Sequence, residues 1–260
     1  MNKKIIDTLS KSWSLSNINA GDTILLHSDL RRLIYRYRKI KIRLDLGDII
    51  ESFIDLIGSK GTLILPMFNF EFLKGVKFNI NKTKSQSGAL SEFFRTNYKV
   101  VRTGHPVYSF GIFGYNQDKF RDLDNYSGYA ENSPFGIIKN INGKIAILDL
   151  EDSKSMTFYH HIEELNNVDW RYFKIFEGKY VDIKGIEKKK KYSIFVRNLE
   201  NQVITHVNPA GELLWKNNLY KGSRPLIDNG LRSINAKAMF DFISLLIKNN
   251  QARNILYKSK

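Results

Sequence analysis

The sequence predicts an α/β protein, and three observations carry that prediction. Strand-like and helix-like stretches alternate along the chain, beginning with two buried-strand patterns that flank an amphipathic helix before Pro66. At 260 residues and 42% hydrophobic residues the chain can bury a full core, as one large domain or two small ones. No repeat, coiled coil or clear linker interrupts it, so residues 1–260 read as one domain.

Asp22 to His27 is a continuous apolar run and predicts a buried strand. Asp48 to Ile57 carries apolar residues at helical spacing, and Gly61 to Leu65 predicts the next strand, ending at Pro66. Ser87 to Tyr98 reads as a helix, Val107 to Phe113 as a strand, and Gly143 to Leu150 as a short apolar strand after an Asn-Gly turn. Met156 to Asn166 predicts a helix. Residues 173–207 are β-rich, with strands at Lys179 to Ile183 and Tyr192 to Val196 and an exposed turn at Lys188 to Lys191, and Asn235 to Asn249 forms a closing helix.

No run of about 18 apolar residues occurs, and the start lacks the apolar region of a signal peptide, so a cytoplasmic protein with no membrane partner is expected. The absence of cysteine excludes disulfides, thiolate metal sites and a Cys-His nucleophile. The net charge of +15 suits a polyphosphate ligand or a nucleic acid, yet Lys, Ile and Asn are abundant together, as an AT-rich genome alone would produce. Distribution is therefore more informative than the total. Residues 31–43 interleave Arg31, Arg32, Arg36 and Arg38 with Tyr35 and Tyr37, a combination that can grip phosphates and stack on a base, or else form an ordinary exposed surface.

His160 stands three residues ahead of Glu163. On a helix the two lie one turn apart, so the carboxylate can hold the ring in one tautomer, the wiring of a general base. A partly buried histidine satisfied by local hydrogen bonds is the alternative. His160, His161 and Glu164 have residue types that suit zinc, but the His-Glu-x-x-His spacing is absent and adjacent helical histidines point apart, so no metal is expected.

Several segments follow one another in a specific order: His27-Ser28-Asp29-Leu30, Gly61 to Pro66, Gly88 to Arg95, Arg102 to Ser109, Ser133-Pro134-Phe135-Gly136, Thr157 to Glu163, and Trp170-Arg171-Tyr172. This order resembles the aminoglycoside 3-N-acetyltransferase family, from about Gly21 to Lys174 and faintly through the last helix. The resemblance implies a layered α/β/α fold with a central mixed sheet, distinct from the GNAT architecture, and an acyl-CoA-dependent N-acyltransferase. It assigns His160 as catalytic base and Glu163 as the acid that orients it. It places His27, Ser28, His105, Ser109, Ser133 and Gly136 at the coenzyme A site, and Asn69 and Glu71 near the acceptor. The alternatives are a buried turn for His27 and Ser28, a structural histidine for His105, a helix cap for Ser133 and Gly136, and a surface loop for Asn69 and Glu71.

Asp29 replaces a serine usual in the family's first loop, Leu148-Asp149-Leu150 replaces a Leu-Leu-Gly, and residues 31–43 are longer and more basic than the family's turn. These departures bear on the acceptor more than on acyl transfer. A polycationic antibiotic gains from an acidic cleft, whereas a nucleotide-linked deoxy amino sugar would suit Arg31, Arg32, Tyr35 and Arg36 and would belong to surface-polysaccharide synthesis. Aminoglycoside acetylation is the alternative. A basic nucleic-acid-binding protein is the nonenzymatic alternative, although none of the usual binding motifs is present. The sequence leaves room for a homo-oligomer and specifies none.

Overall fold

A computed structural model describes residues 2–259; Met1 and Lys260, the ends of the expected 1–260 domain, lie outside the described residues. The elements in chain order are α1 (Lys3–Ser14), β1 (Thr23–Ser28), α2 (Arg31–Lys39), α3 (Leu46–Ile57), β2 (Thr62–Pro66), β3 (Phe78–Asn79), α4 (Ala89–Asn97), β4 (Val101–Arg102), β5 (Phe110–Gly114), α5 (Pro134–Asn140) and β6 (Lys144–Leu148). They continue as α6 (Asp152–Ser155), α7 (Phe158–Leu165), β7 (Arg171–Val181), β8 (Glu187–Arg197), β9 (Ile204–Thr205), α8 (Asn208–Lys216), β10 (Lys221–Gly222), β11 (Leu231–Asn235), α9 (Ala236–Lys248) and β12 (Tyr257–Lys258).

The main sheet has seven strands in the order β10-β11-β6-β1-β2-β5-β4. Its centre is parallel, with β1 between β6 and β2, and its flanks are antiparallel. Buried on both faces, the central strands are near-continuous apolar runs whose alternate residues serve opposite layers. Ile24, Leu26, Leu63, Leu65, Ala146 and Leu148 pack with Trp13 of α1 and Phe53 of α3. Leu25, Ile64, Ile145 and Ile147 pack with Phe158 and Ile162 of α7 and Met239 and Ile243 of α9. The result is the expected α/β/α layering around a mixed sheet.

The long hairpin of β7 and β8, with β3 alongside, forms a second sheet of three strands. Its tight turn lies at residues 182–186, where Asp182 Oδ1 accepts from the N–H groups of Lys184 and Ile186. The Lys188 to Lys191 run is therefore part of β8, not the turn expected from its charge. β8 is an edge strand, and exposed lysines there resist pairing with another chain. In the basic stretch 31–43, Arg31–Lys39 form a helix, α2. No helix among the described residues is long and apolar enough to cross a membrane.

Candidate active site

Because its two parallel neighbours lie on opposite sides, β1 occupies the position where the strand order changes direction, and a crevice opens outside the carboxyl ends of such strands. A cleft of about 300 Å³ lies there, walled by His27 and Ser28 from the end of β1, Pro66 from β2, Leu150 beyond β6, and Thr157 and His160 at the start of α7. Tyr108, Phe68 and Phe70 close the other side, their rings packed edge to face. Gln86, Ser87, Ser91, Lys154 and Ser155 complete the polar part of the wall.

His160 keeps 22% of its side-chain surface open, and its Nδ1 lies 2.8 Å from Glu163 Oε2. Glu163, 1% exposed, also accepts from Trp170 Nε1 at 3.0 Å and pairs with Arg171, whose Nε lies 2.7 Å from Oε2. Burial pushes the Glu163 carboxyl up, but Arg171 and the His160 and Trp170 donors outweigh it and leave it below the usual carboxylate range. Burial and then Arg171 lower the His160 imidazole, against the pull of Glu163. At neutral pH the ring is thus neutral, its Nδ1–H donating to an ionised carboxylate. Nε2 has no protein partner among the described residues, and His160 is part of the cleft wall. Tyr129 fixes the ring plane with an edge-on contact, centroids 5.3 Å apart.

The other expected residues divide. His27 and Ser28 wall the cleft; burial first and Arg232 second push the His27 imidazole down to about 4, so it serves as a neutral group. His105 does not reach the cleft. Its Nδ1 accepts from the N–H groups of Val107 and Tyr108, its Nε2 contacts the Ser193 carbonyl, and burial lowers it to about 4. It holds the turn that presents Tyr108. Ser109, also buried, donates to the Met67 carbonyl at 2.8 Å and accepts from Arg102. Ser133 is buried at the start of α5, and a Cβ on Gly136 would sit 1.8 Å from the Glu131 carbonyl oxygen, so that glycine permits close packing of backbone; neither residue is part of the cleft wall.

Asn69 forms an internal turn, accepting from Glu71 N–H and donating to the Lys84 carbonyl. Glu71 stands outside the wall, engaged by Lys74 and Gln86. In α2, Arg31 pairs with Asp29, and Tyr35 is exposed under Lys39. Arg32 makes a bidentate pair with Asp149, both contacts 2.9 Å, and with Arg36 it donates to the Asp228 carbonyl. Arg32 and Arg36 therefore clamp the loop before β11 instead of pointing free donors at a ligand. His161 and Glu164 diverge from His160: His161 Nδ1 contacts the Tyr129 carbonyl, and Glu164 accepts from Ser127 Oγ at 2.7 Å. No cluster of three or more metal-binding side chains forms among the described residues.

No local pattern in the sequence gives Trp170, Arg171, Tyr129 or Lys154 a role at this site. Asn167, with φ 47°, lies in the turn after α7 from which Trp170 and Arg171 come back to Glu163.

The fold is shared with solved structures. Aminoglycoside acetyltransferase AAC(3)-Xa superposes with a TM-score of 0.77 at 16% identity, covering 94% of this chain and 92% of its own. AAC-IIIb, solved as a binary complex with CoASH, gives 0.77 at 18% identity, with 94% and 96% covered. YokD from Bacillus subtilis gives 0.76 at 19% identity, with 98% and 100% covered. In sequence, the SPbeta prophage-derived aminoglycoside N(3')-acetyltransferase-like protein YokD of Bacillus subtilis (strain 168) is 22% identical over 175 residues, 58% of this chain and 62% of that protein's length. Residues 25–248 match the family model described as aminoglycoside 3-N-acetyltransferase, a span that contains the whole cleft, and the chain belongs to that family.

Proposed function

We propose that the protein is an acyl-CoA-dependent N-acyltransferase, acting as one domain, whose acceptor is the amine of an amino sugar. The observation that carries this reading is the relay in which Arg171 faces Glu163, Glu163 holds His160 Nδ1, and His160 Nε2 is left for the cleft. The acceptor nitrogen attacks the thioester carbonyl, a C–N bond forms, and its proton passes to Nε2. The C–S bond then breaks, and the departing thiolate takes a proton back. No acyl-enzyme is required, and no cysteine is present to form one. His27, Ser28, Ser87, Tyr108 and Thr157 are the groups available to seat the two substrates.

The acceptor we favour is a nucleotide-linked deoxy amino sugar. The cleft wall bears no carboxylate among the described residues, and its one full charge is Lys154; a polycation gains nothing there, whereas a phosphate does. Arg32 and Arg36 no longer support this reading, since both are spent on the Asp228 loop. Family membership favours a second reading, an aminoglycoside acceptor; a relative, AAC-VIa, is known bound to sisomicin. Thiol release from acetyl-CoA, followed with a panel of sugar nucleotides and of kanamycin-type antibiotics, separates the two. Turnover confined to the antibiotics selects the second reading, and no amine-dependent thiol release from any acceptor rejects both.

A further inference from the structure

Glu163 is the most deeply buried carboxylate of the site, and three groups meet it: His160 from its own helix, Trp170 from the turn before β7, and Arg171 from the first position of that strand. The indole is itself held, stacked on Tyr257 with centroids 4.3 Å apart. The Arg171 side chain is 5% exposed, and its Nη1 and Nη2 donate to the Phe195 carbonyl at 3.2 Å and to Thr205 Oγ1 at 3.3 Å. It is thus anchored independently of Glu163. Its Nε contact with Oε2 is short but poorly aligned as a hydrogen bond, so what it supplies to the carboxylate is chiefly charge.

We propose that Arg171 is a positioning residue that acts through Glu163: it keeps the carboxylate anionic and aimed at His160 Nδ1, while its own charge cancels the field that would otherwise protonate the imidazole. A histidine beside an unpaired buried anion would be held as imidazolium near neutral pH and could accept nothing. Beside an ion pair it is oriented and still free to take a proton. The other charged or titratable groups that face the ring are few. Arg197, opposite Arg171 in the β7–β8 register, is exposed and acts in the same direction more weakly. Lys154 and His27 line the same cleft, and the Tyr108 and Tyr129 hydroxyls stay protonated, pushed up first by burial. Among the described residues no second acid pairs with the ring, and Glu164 accepts from Ser127 Oγ instead.

This inference rests on His160 as the base, so its test reads His160 directly as well as through turnover. In the unaltered protein the His160 Cε1–H NMR signal, assigned by its loss in His160→Asn, is expected to titrate below the ordinary histidine value of about 6.5. A midpoint at or above that value overturns the proposal without any variant having to fold. Arg171→Met, checked by circular dichroism, should move both that midpoint and the acid limb of kcat/KM upward by about one unit or more, because the dyad loses a nearby positive charge. Arg171→Lys should restore most of the shift. A folded Arg171→Met with an unmoved midpoint, even one slow at every pH, reduces Arg171 to a packing role and refutes the proposal. A shifted NMR midpoint with an unmoved kinetic limb upholds Arg171's action on the ring and refutes His160 as the base.

Discussion

Replacing Arg32 with methionine distinguishes a clamp from a ligand-binding arginine. The Asp149 side chain is 3% exposed and Arg32 23%, and the pair is bidentate, with a further Arg32 contact to the Asp228 carbonyl at 3.1 Å. The geometry leaves no slack: Gly230, at φ 71°, lies so near that a Cβ would be 1.9 Å from Asp149 Oδ1. Removing one partner of a buried pair costs about 3–5 kcal/mol, and the partial exposure of Arg32 together with the Leu226 N–H that Asp149 retains argues for about 3 kcal/mol. For a chain of this size that corresponds to a Tm lower by about 6–12 °C. The assay is thermal and urea unfolding of the parent, Arg32→Met, Asp149→Asn and the double variant. Asp149→Asn in the Arg32→Met background should recover part of the loss, because the orphaned charge is gone, and the cycle should show a coupling of about 1 kcal/mol or more. A Tm within about 1 °C of the parent, combined with a several-fold rise in acceptor KM, would refute the clamp and return Arg32 to the substrate.

Three further outcomes follow from the same coordinates. His160→Asn should lower kcat by about 10²-fold or more while coenzyme A affinity, measured calorimetrically, stays near that of the parent, and Glu163→Gln should lose less; near-normal turnover in His160→Asn would remove it from the chemistry. Mixing enzyme with acetyl-CoA alone should release no stoichiometric burst of thiol, and a burst equal to the enzyme concentration would instead mean an acylated side chain. The third concerns pH. Burial is the first cause holding His27, His105 and His161 down to about 4, whereas in the unfolded chain they titrate near 6.5. The unfolded state therefore binds more protons between these values, and stability present above about pH 6.5 is lost as the pH falls toward about 4. Urea midpoints at pH 7 and pH 5 read this directly, and a flat profile would show that these rings do not stay neutral in the folded protein.

How much of this protein could be read from its sequence depends on how far apart the interacting residues stand. The central strands were legible because burial on both faces leaves an unbroken apolar run, as in Ile24 to Leu26 and Leu63 to Leu65. The His160–Glu163 contact was legible for a similar reason: helical spacing alone brings the two side chains together. Arg171 lies beyond a turn, and its task depends on where β7 re-enters, which no local pattern encodes. In α2 the spacing of Arg32 and Arg36 does reveal a shared face, but their common partner, Asp228, is 196 and 192 residues away. Read without that partner, two arginines on one face resemble a phosphate grip. His105 is ambiguous in another way, because an imidazole next to proline in a family motif can serve either a ligand or the chain itself. Two backbone N–H groups converge on its Nδ1, so its role is to shape the turn that carries Tyr108 to the cleft. A motif residue can therefore belong to a site by building its wall without touching what binds there, and sequence order does not separate the two cases.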